Sequence, residues 1–386
     1  MKTFWLEKNE CSACGACVNV CPKNAIRFET DACGFSYPVI SSNCVDCSLC
    51  EKVCNERKKT NNGNSLEPLT YAAWSKDQDI RYNSTSGGVF SEIAKEVFRR
   101  GGCVVGAQYR DDNSVEHTIV YDEAGLERIR QSKYTQSDIG LVFRDIKTKL
   151  DCNKLVAFCG APCQVAALKS YLRKQYENLI TIDFICRGMN SPKAYRAWLD
   201  EIEAANGSKV KKVWFKYKDG GWKTSPTRTR IDFENGNYLV LEKDNNMFMS
   251  GYLGSNLYIR PSCGMCAFKS VPRYSDITLA DFWGLRADID DDKGASLVLI
   301  NNRRGESLFN SILTHLTYYQ RSFEEIFAGN GCFNDSVEIN PRSREFLVEL
   351  DSTKFSKAWK KYTKRSARQR LLGVFRRIKH IMIPRK

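Results

Sequence analysis

The chain reads Cys11-Ser-Ala-Cys14-Gly-Ala-Cys17-Val-Asn-Val-Cys21-Pro22 near its start and, further on, Cys44-Val-Asp-Cys47-Ser-Leu-Cys50-Glu-Lys-Val-Cys54. The spacing C-x2-C-x2-C-x3-C therefore occurs twice. Three thiolates separated by two residues can hold one corner of an iron–sulfur cubane, and the fourth cysteine of the run then ligates a second cluster alongside. We predict two [4Fe–4S] clusters with crossed ligands. The first is assigned Cys11, Cys14, Cys17 and Cys54, and the second Cys44, Cys47, Cys50 and Cys21.

Zinc and disulfide bonds are the alternative uses of these cysteines. Structural zinc takes four ligands, usually as two separated pairs, whereas this chain has two tight runs of four. Disulfides suit short secreted scaffolds, and this chain is neither short nor led by a signal peptide. Over about the first sixty residues the runs resemble those of bacterial-type two-cluster ferredoxins. Pro22 stands in its usual place, and Asn55 stands where that pattern has a second proline.

Length and composition indicate a globular protein of a reducing compartment. The chain has 386 residues, enough for two or three domains. No apolar run approaches the length of a membrane span. Seventeen cysteines in a chain without a signal peptide favour metal clusters over disulfides. We therefore expect a cytoplasmic protein.

The positive charge is concentrated at the C-terminal end. The formal net charge is +14, and the residues after Asp351 include thirteen Lys and Arg and no acidic residue. The body is thus close to neutral, which argues against a nucleic-acid partner. Apolar residues at helical spacing between Leu371 and Ile378 make residues 351–386 a basic amphipathic tail. Such a tail either packs its apolar stripe on the body or makes peripheral contact with an anionic membrane at the inner face.

Strand and helix patterns alternate after a polar linker at residues 55–68. Strand, glycine turn and helix in repetition predict an α/β unit that binds ligands at its strand ends. Beyond residue 207, short strands joined by Gly and Asn turns predict an antiparallel sheet. The strand patterns of the first part lie at 71–74, 103–107, 117–121, 154–158 and 179–185.

Two hydroxyl-rich segments precede predicted helices. Ser84-Thr-Ser-Gly-Gly-Val89 comes before a helix at residues 90–100, and Ser132-Lys-Tyr-Thr-Gln-Ser137 places Lys133 before a helix from about residue 138. Backbone N–H groups at a helix start form a cradle for anions. Ser and Thr are also ordinary N-cap residues, so these segments alone leave both interpretations open.

Five further cysteines lie in three separated segments, mostly at predicted turns: Cys159, Cys163, Cys186, Cys263 and Cys266. Turns let backbone N–H groups reach cluster sulfurs. Cys163, at a helix start, is expected to have a lowered thiol pKa. From spacing alone, a reactive pair of Cys159 and Cys163 beside a separate C-x2-C is as well supported as a third cluster.

From residue 71 to about residue 316 the chain resembles the beta subunit of coenzyme F420-reducing hydrogenases and dehydrogenases. The residues that carry the resemblance, in this order, are Ser84-Thr-Ser-Gly-Gly-Val, Ser132-Lys-Tyr-Thr-Gln-Ser, Gly160-Ala-Pro-Cys163-Gln, Cys186-Arg-Gly, Cys263-Gly-Met-Cys266 and Asp276-Ile-Thr-Leu-Ala-Asp-Phe-Trp-Gly. The resemblance implies FAD, an iron–sulfur cluster and electron exchange with a diffusible two-electron carrier. F420 is one such carrier, and other small molecules are reduced by relatives that share the fold.

The resemblance also assigns residues to these cofactors. A third [4Fe–4S] cluster would be held by Cys163, Cys186, Cys263 and Cys266. The flavin site would be lined by Ser86, Gly87, Gly88 and Lys133. Arg187 stands where the family often has histidine, which favours an anionic substrate or a flavin phosphate. Cys159 is interpreted as packing, and the sequence assigns no role to Cys33, Cys103, Cys152 or Cys332.

These inferences predict a ferredoxin-like α+β module and a mixed α/β body that binds flavin and a cluster. The predicted function is an oxidoreductase in which an external electron donor or acceptor protein exchanges electrons with the clusters, and FAD exchanges them with a small-molecule substrate. The alternative is a non-catalytic electron-transfer subunit of a larger redox complex. The predicted domains are a two-cluster module at 1–60, body domains at 69–205 and 206–330, and the tail at 351–386.

Overall fold

A computed structural model describes residues 6–58, 67–224 and 227–364. The α-helices are α1 Ala16–Val20, α2 Leu49–Lys52, α3 Asn55–Lys58, α4 Gln78–Tyr82, α5 Val89–Arg99, α6 Glu123–Ile129, α7 Val142–Asp151, α8 Pro162–Leu172, α9 Pro192–Asn206, α10 Met247–Ser255, α11 Arg303–Ile312, α12 Glu325–Gly329, α13 Ser343–Glu349 and α14 Phe355–Thr363. The strands are β1 Ile26–Thr30, β2 Ser36–Ile40, β3 Leu69–Ser75, β4 Cys103–Tyr109, β5 Val115–Val120, β6 Ser137–Asp138, β7 Val156–Cys159, β8 Leu179–Phe184, β9 Val210–Phe215, β10 Thr229–Phe233, β11 Tyr238–Leu241, β12 Ile277–Asp281, β13 Ser296–Ile300 and β14 Leu316–Arg321.

A nine-stranded mixed sheet forms the centre of the body, in the order β14-β3-β13-β12-β8-β7-β4-β5-β6. Strands β12, β8, β7 and β4 are parallel to one another, and the pairs β12/β13, β13/β3, β14/β3 and β4/β5 are antiparallel. The mixed α/β fold class is therefore confirmed. Strands from both predicted body domains share this sheet, while the boundary at residue 205 stays a prediction.

Burial explains which segments occupy the middle of the sheet. The β8 sequence Leu-Ile-Thr-Ile-Asp-Phe is buried in all but its last residue, as expected for a parallel strand covered on both faces. Helix α5 turns Val89, Ile93 and Val97 toward the sheet at helical spacing. Helix α9 begins where the Ser191 hydroxyl accepts a hydrogen bond from the Ala194 N–H and where Pro192 fixes the first turn.

A smaller antiparallel sheet, in the order β11-β10-β9, lies after residue 207 as predicted. One helix boundary differs from the prediction. The helix expected from residue 138 begins at Val142, because Ser137 and Asp138 pair with Val115 and Glu116 as the short strand β6.

The N-terminal cysteine-rich module packs into the body through a shared core. Phe35 and Tyr37 are buried in one cluster with Trp198 and Phe248, and Ala16 is buried with residues of α7 and α8 in a second cluster. The approach is close at Gly15, which has φ 85° and where a Cβ would lie 2.9 Å from Ile139 Cγ2. Only glycine combines this φ with this space.

The predicted linker at 55–68 is in part wrong. Its first residues form helix α3, which packs against α8, and the Ser170 hydroxyl donates a hydrogen bond to Asn55 Oδ1 at 2.6 Å. Helix α3 therefore adds to the contacts of the shared core in holding the module against the body. Residues 59–66 lie outside the described part of the chain.

The start of the predicted tail packs on the body as helix α14, whose Phe355, Ala358 and Tyr362 are buried. The apolar stripe predicted between Leu371 and Ile378 lies outside the described residues. Among the helices at 6–58, 67–224 and 227–364, none combines the length and the apolar character that crossing a bilayer requires.

Candidate functional site

The two N-terminal cysteine runs share one backbone pattern. Ala13 and Gly15 flank Cys14 with φ of 51° and 85°, and Asp46 and Ser48 flank Cys47 with φ of 54° and 55°. Non-glycine residues in this left-handed region are uncommon and cost roughly 1–2 kcal/mol each. Such conformations cluster where the surroundings enforce them for a function. In both runs they lie directly beside the second cysteine of the run.

The crossed ligand arrangement stays a prediction, and the neighbours of the Cys14 and Cys50 thiols agree with it. Burial, together with the nearby Cys11 and Cys54 thiols, raises the pKa of the Cys14 thiol to about 12. Burial also raises the pKa of Cys50, and the Cys47 and Cys21 thiols add to that rise. Cys54 therefore lies with the first run and Cys21 with the second. Cys44 precedes Cys47 in the second run, and its thiol lies 3.5 Å from Asp46 Oδ1.

Five further cysteines line one small cavity between the module and the sheet, and four of them are the predicted ligands of the third cluster. Cys163 lies in the first turn of α8, Cys186 follows β8, and Cys263 and Cys266 lie in and after a 3₁₀ turn at residues 261–265. The carboxyl ends of the parallel strands bring Cys163 and Cys186 to the same edge of the sheet. The C-x2-C segment then covers this edge from the other side.

The expected lowering of the Cys163 pKa is wrong. Burial raises the pKa of this thiol well above its usual value, and the neighbouring Cys266, Cys14 and Cys186 thiols raise it further. A position in the first turn of a helix does not offset this desolvation.

The thiols around the small cavity are not arranged to hold a single metal ion. Within the described residues, no three His, Cys, Asp or Glu side chains converge closely enough for one metal ion. Zinc holds its sulfurs at about 2.3 Å, whereas a cubane spreads four thiolates around a larger core. The Met189 N–H points at Cys263 Sγ at 3.4 Å, a contact typical of cluster sulfurs. The Lys269 ammonium donates to the carbonyls of Cys186 and Cys332 at 2.9 and 2.7 Å and brings positive charge to this wall.

Cys159 does not join this set. It lines a second, larger cavity, and burial raises the pKa of its thiol to about 12. Its carbonyl lies 3.2 Å from His117 Nε2. Because Cys159 and Cys163 border different cavities, the structure does not favour the reactive pair that spacing alone left open.

The larger cavity has a volume of about 770 Å³, which lies within the range of roughly 300–1,000 Å³ usual for cofactor sites. Buried polar atoms on its wall have no hydrogen-bond partner among the described residues: His117 Nδ1, Thr135 Oγ1, Arg187 Nε, Asn190 Oδ1, Thr224 Oγ1 and Thr227 Oγ1. Buried polar groups are nearly always satisfied in native proteins. A ligand rich in donors and acceptors, such as FAD, fits this wall.

Three of the four predicted flavin contacts line this cavity. Ser86, Gly88 and Lys133 lie on the wall, and Gly87 lies behind it. A Cβ at Gly87 would meet the Ala73 carbonyl at 2.3 Å, and the Gly87 N–H donates to Ser296 Oγ at 2.9 Å. Gly87 thus lets the loop approach strands β3 and β13 closely.

Lys133 also holds the local backbone. Its ammonium donates to the carbonyls of Arg128, Arg130 and Gln131 at 3.1, 2.7 and 3.2 Å, at the end of α6. Burial lowers the pKa of Lys133 to about 7. The three hydrogen bonds hold the ammonium at a fixed position beside the cavity.

The sequence analysis did not predict one wall of the larger cavity, which is aromatic and charged. Trp283 lines the larger cavity and stacks on Trp222, with ring centroids 4.4 Å apart and planes at 8°. The Lys216 ammonium lies 4.8 Å from the Trp283 ring centroid and forms an ion pair with Asp281. Asp281 and Trp283 belong to the motif at residues 276–284, so this motif could have indicated the wall. His117 also lines the cavity but belongs to no motif that could have indicated it. Burial lowers the pKa of its imidazole to about 4.

The two cavities share a wall made of residues 186–189 and Cys332. Arg187 crosses this wall, and its guanidinium donates to Leu253 O at 3.0 Å, to Asn256 Oδ1 at 2.7 Å and to Cys332 Sγ at 3.6 Å. On the opposite side, Ser12 and Glu56 of the module border the small cavity. The cysteine-rich module, the small cavity and the larger cavity are therefore contiguous.

Comparison with known proteins identifies three matching regions. Two of them match the beta subunit of coenzyme F420 hydrogenase/dehydrogenase, residues 70–143 its N-terminal family and residues 153–324 its C-terminal family. Residues 10–57 match the 4Fe-4S dicluster domain. The two beta-subunit matches together cover more than half of the chain.

Individual relatives are distant and extend over most of the chain. An uncharacterized protein of Methanocaldococcus jannaschii is 23% identical over 91% of this chain and 96% of its own length. The F subunit of the F(420)H(2) dehydrogenase of Methanosarcina mazei is 24% identical over 80% of this chain and 83% of its own length. A chain of the F420-reducing [NiFe] hydrogenase complex from Methanosarcina barkeri superposes with a TM-score of 0.46 and 17% identity, covering 77% of this chain and 92% of that one.

Proposed function

Because the chain belongs to the family of coenzyme F420 hydrogenase/dehydrogenase beta subunits and carries a 4Fe-4S dicluster domain, we propose that it is an iron–sulfur flavoprotein oxidoreductase. In this proposal the eight module cysteines hold two [4Fe–4S] clusters, and the small cavity holds a third. The larger cavity holds FAD and admits an organic two-electron acceptor or donor, either F420-like or another small molecule. An external redox protein exchanges electrons with the module.

The observation that carries the proposal is the wall common to the two cavities. Cys186 is a proposed cluster ligand and also borders the larger cavity. A ligand in the larger cavity would therefore be separated from the cluster only by the wall to which Cys186 belongs. FAD bound there supplies the conversion between one-electron and two-electron transfer.

The chain's own residues have separable roles in this site. The unpartnered hydroxyl and amide atoms of Thr135 and Asn190 orient a polar ligand. The Trp283 ring is supported from behind by Trp222 and offers a flat apolar face. Arg187 supplies positive charge at a fixed position, which favours an anionic group, and Lys133 adds charge when its ammonium is protonated.

Cofactor content tests the proposal. Anaerobically purified protein is expected to contain about twelve irons, four for each cluster, and one FAD per chain. Metal analysis and the flavin spectrum after acid release provide both counts. About eight irons without flavin would overturn the proposal in favour of a plain electron carrier, by the same count per cluster.

The alternative function is a non-catalytic electron-transfer subunit. It is favoured by the similarity to a protein that is named as a subunit of a dehydrogenase. Turnover by the isolated protein separates the two functions. An isolated protein that retains flavin and reduces a small acceptor with a chemical reductant is an enzyme in its own right, whereas one without turnover needs its partner.

We also propose that the C-terminal tail provides peripheral contact with an anionic membrane. The residues after Lys364 include eight Lys and Arg and no acidic residue, and each basic residue near such a surface contributes about 1 kcal/mol. The full chain is expected to sediment with phosphatidylserine vesicles at low salt, and a chain ending at Lys364, which keeps the packed helix α14, is not. Equal sedimentation of both chains would contradict this role.

A further inference from the structure

Arg260 is a fully buried cation between the module and the body. It is 0% exposed. Its guanidinium donates to Cys11 O at 2.7 Å, to Gln136 Oε1 at 2.9 Å and to Ser36 O at 3.0 Å. It also lies 4.5 Å from the centroid of the Tyr37 ring. All of these oxygens are uncharged, so the guanidinium is well hydrogen-bonded, but these contacts give it no counter-charge.

The same residue is tied to the small cavity through its backbone. The Arg260 N–H donates to Met189 O at 2.8 Å, and the Arg260 carbonyl accepts from the Cys263 N–H at 3.0 Å. Met189 in turn directs its N–H at Cys263 Sγ. The Arg260 side chain therefore contacts Cys11, a ligand of the first module cluster, and its backbone contacts Cys263, a ligand of the proposed third cluster.

A buried guanidinium without a counter-charge is unfavourable. Two [4Fe–4S] clusters would supply the missing charge, because a cubane ligated by four thiolates is a net anion in its usual oxidation states. Reduction adds a further negative charge to each cluster, and a nearby cation in a low-dielectric interior stabilises the reduced form.

We propose that Arg260 is a positioning residue that compensates the charge of both the Cys11 cluster and the third cluster and thereby sets their reduction potentials together. The inference rests on the proposed function, because it requires the third cluster. It predicts that loss of the charge makes both potentials more negative. The cluster of Cys44, Cys47, Cys50 and Cys21 should keep its potential, because the Arg260 contacts given above involve none of these cysteines and Cys47 is exposed to solvent, which screens charge.

Redox titration followed by electron paramagnetic resonance tests the inference with Arg260→Gln, Arg260→Lys and a control. The control is Lys193→Gln, which removes a module–body hydrogen bond of 2.8 Å to Ala32 O, a carbonyl outside the proposed ligand sets. Arg260→Gln is expected to retain the wild-type iron content and to shift two of three cluster potentials in the negative direction. Arg260→Lys is expected to keep those two potentials near the wild-type values, and the control to leave all three unchanged.

Other outcomes are equally informative. If Arg260→Gln fails to assemble its clusters while Arg260→Lys assembles them with wild-type potentials, the requirement for charge is supported. Wild-type potentials in Arg260→Gln, or equal shifts in both Arg260 variants, would overturn the inference. A wild-type protein with only two clusters would instead refute the proposed function, independently of any variant.

Discussion

Replacing Cys266 with serine is expected to remove about four irons, one cluster by the four-cysteine rule, and to abolish electron transfer from the module to a flavin. The physical reason is the closed ligand set around the small cavity, where Cys266 shares the wall with Cys163, Cys186 and Cys263. A serine hydroxyl is a weak ligand for iron, and the remaining three thiols cannot complete the set. Iron analysis and the rate of flavin bleaching by a reductant that acts through the clusters measure both losses.

Cys332→Ser is the matched control for this variant. Cys332 borders the same cavity and carries the same thiol, but it lies outside the proposed ligand set. We expect its serine variant to keep the full iron content. Unchanged iron in Cys266→Ser would show that the C-x2-C pair does not ligate a cluster, and iron loss in Cys332→Ser would show that the ligand set is misassigned.

The sequence was most informative where the spacing of residues itself carries the chemistry. The two C-x2-C-x2-C-x3-C runs predict which cysteines exchange partners, and the thiols of Cys54 and Cys21 lie near Cys14 and Cys50, respectively, as that prediction requires. The backbone behind this arrangement was not predictable. Four residues around Cys14 and Cys47 have a positive φ, and only Gly15 among them is a glycine, the residue type that most readily adopts it.

The third cysteine set could not be assigned from local sequence patterns. Its members come from an α8 turn, a strand end and a turn after α10, so only the tertiary fold brings them together. Spacing alone left a reactive pair and a cluster open, and the family resemblance was needed to choose between them. The wrong pKa expectation for Cys163 has the same origin, since burial cannot be read from a helix start.

Long-range strand pairing was also beyond the sequence. Strand β3 precedes the α/β unit, yet it lies between β13 and β14 from the end of the body, antiparallel to both. No short-range signal links segments so far apart, because their pairing depends on the faces left uncovered by the rest of the sheet. This pairing places Gly87 against strands β3 and β13, and so explains why Gly87 does not line the cavity.

The second large effect is expected from Arg273→Met, which should destabilise the fold by about 3–5 kcal/mol. Arg273 Nη2 lies 2.9 Å from Asp183 Oδ2, and the two side chains are only 2% and 0% exposed. Asp183 borders the larger cavity and Arg273 borders the small one. Methionine fills similar volume but leaves the Asp183 carboxylate buried without its cation, which is the costly part of breaking such a pair.

The double variant Arg273→Met with Asp183→Asn separates the charge effect from packing. Asparagine removes the stranded charge and can still accept the hydrogen bond that the Thr278 hydroxyl donates to Asp183 Oδ1 at 2.5 Å. We therefore expect the double variant to recover part of the loss, as measured by the apparent free energy of unfolding in anaerobic urea titrations. Arg286→Met is the control, because its pair with Asp288 at 3.0 Å is exposed and should contribute nothing measurable. A double variant no more stable than Arg273→Met would mean that Arg273 acts through its hydrogen bonds to the carbonyls of Phe184 and Phe268, and that the ion pair itself contributes little to holding the wall between the two cavities.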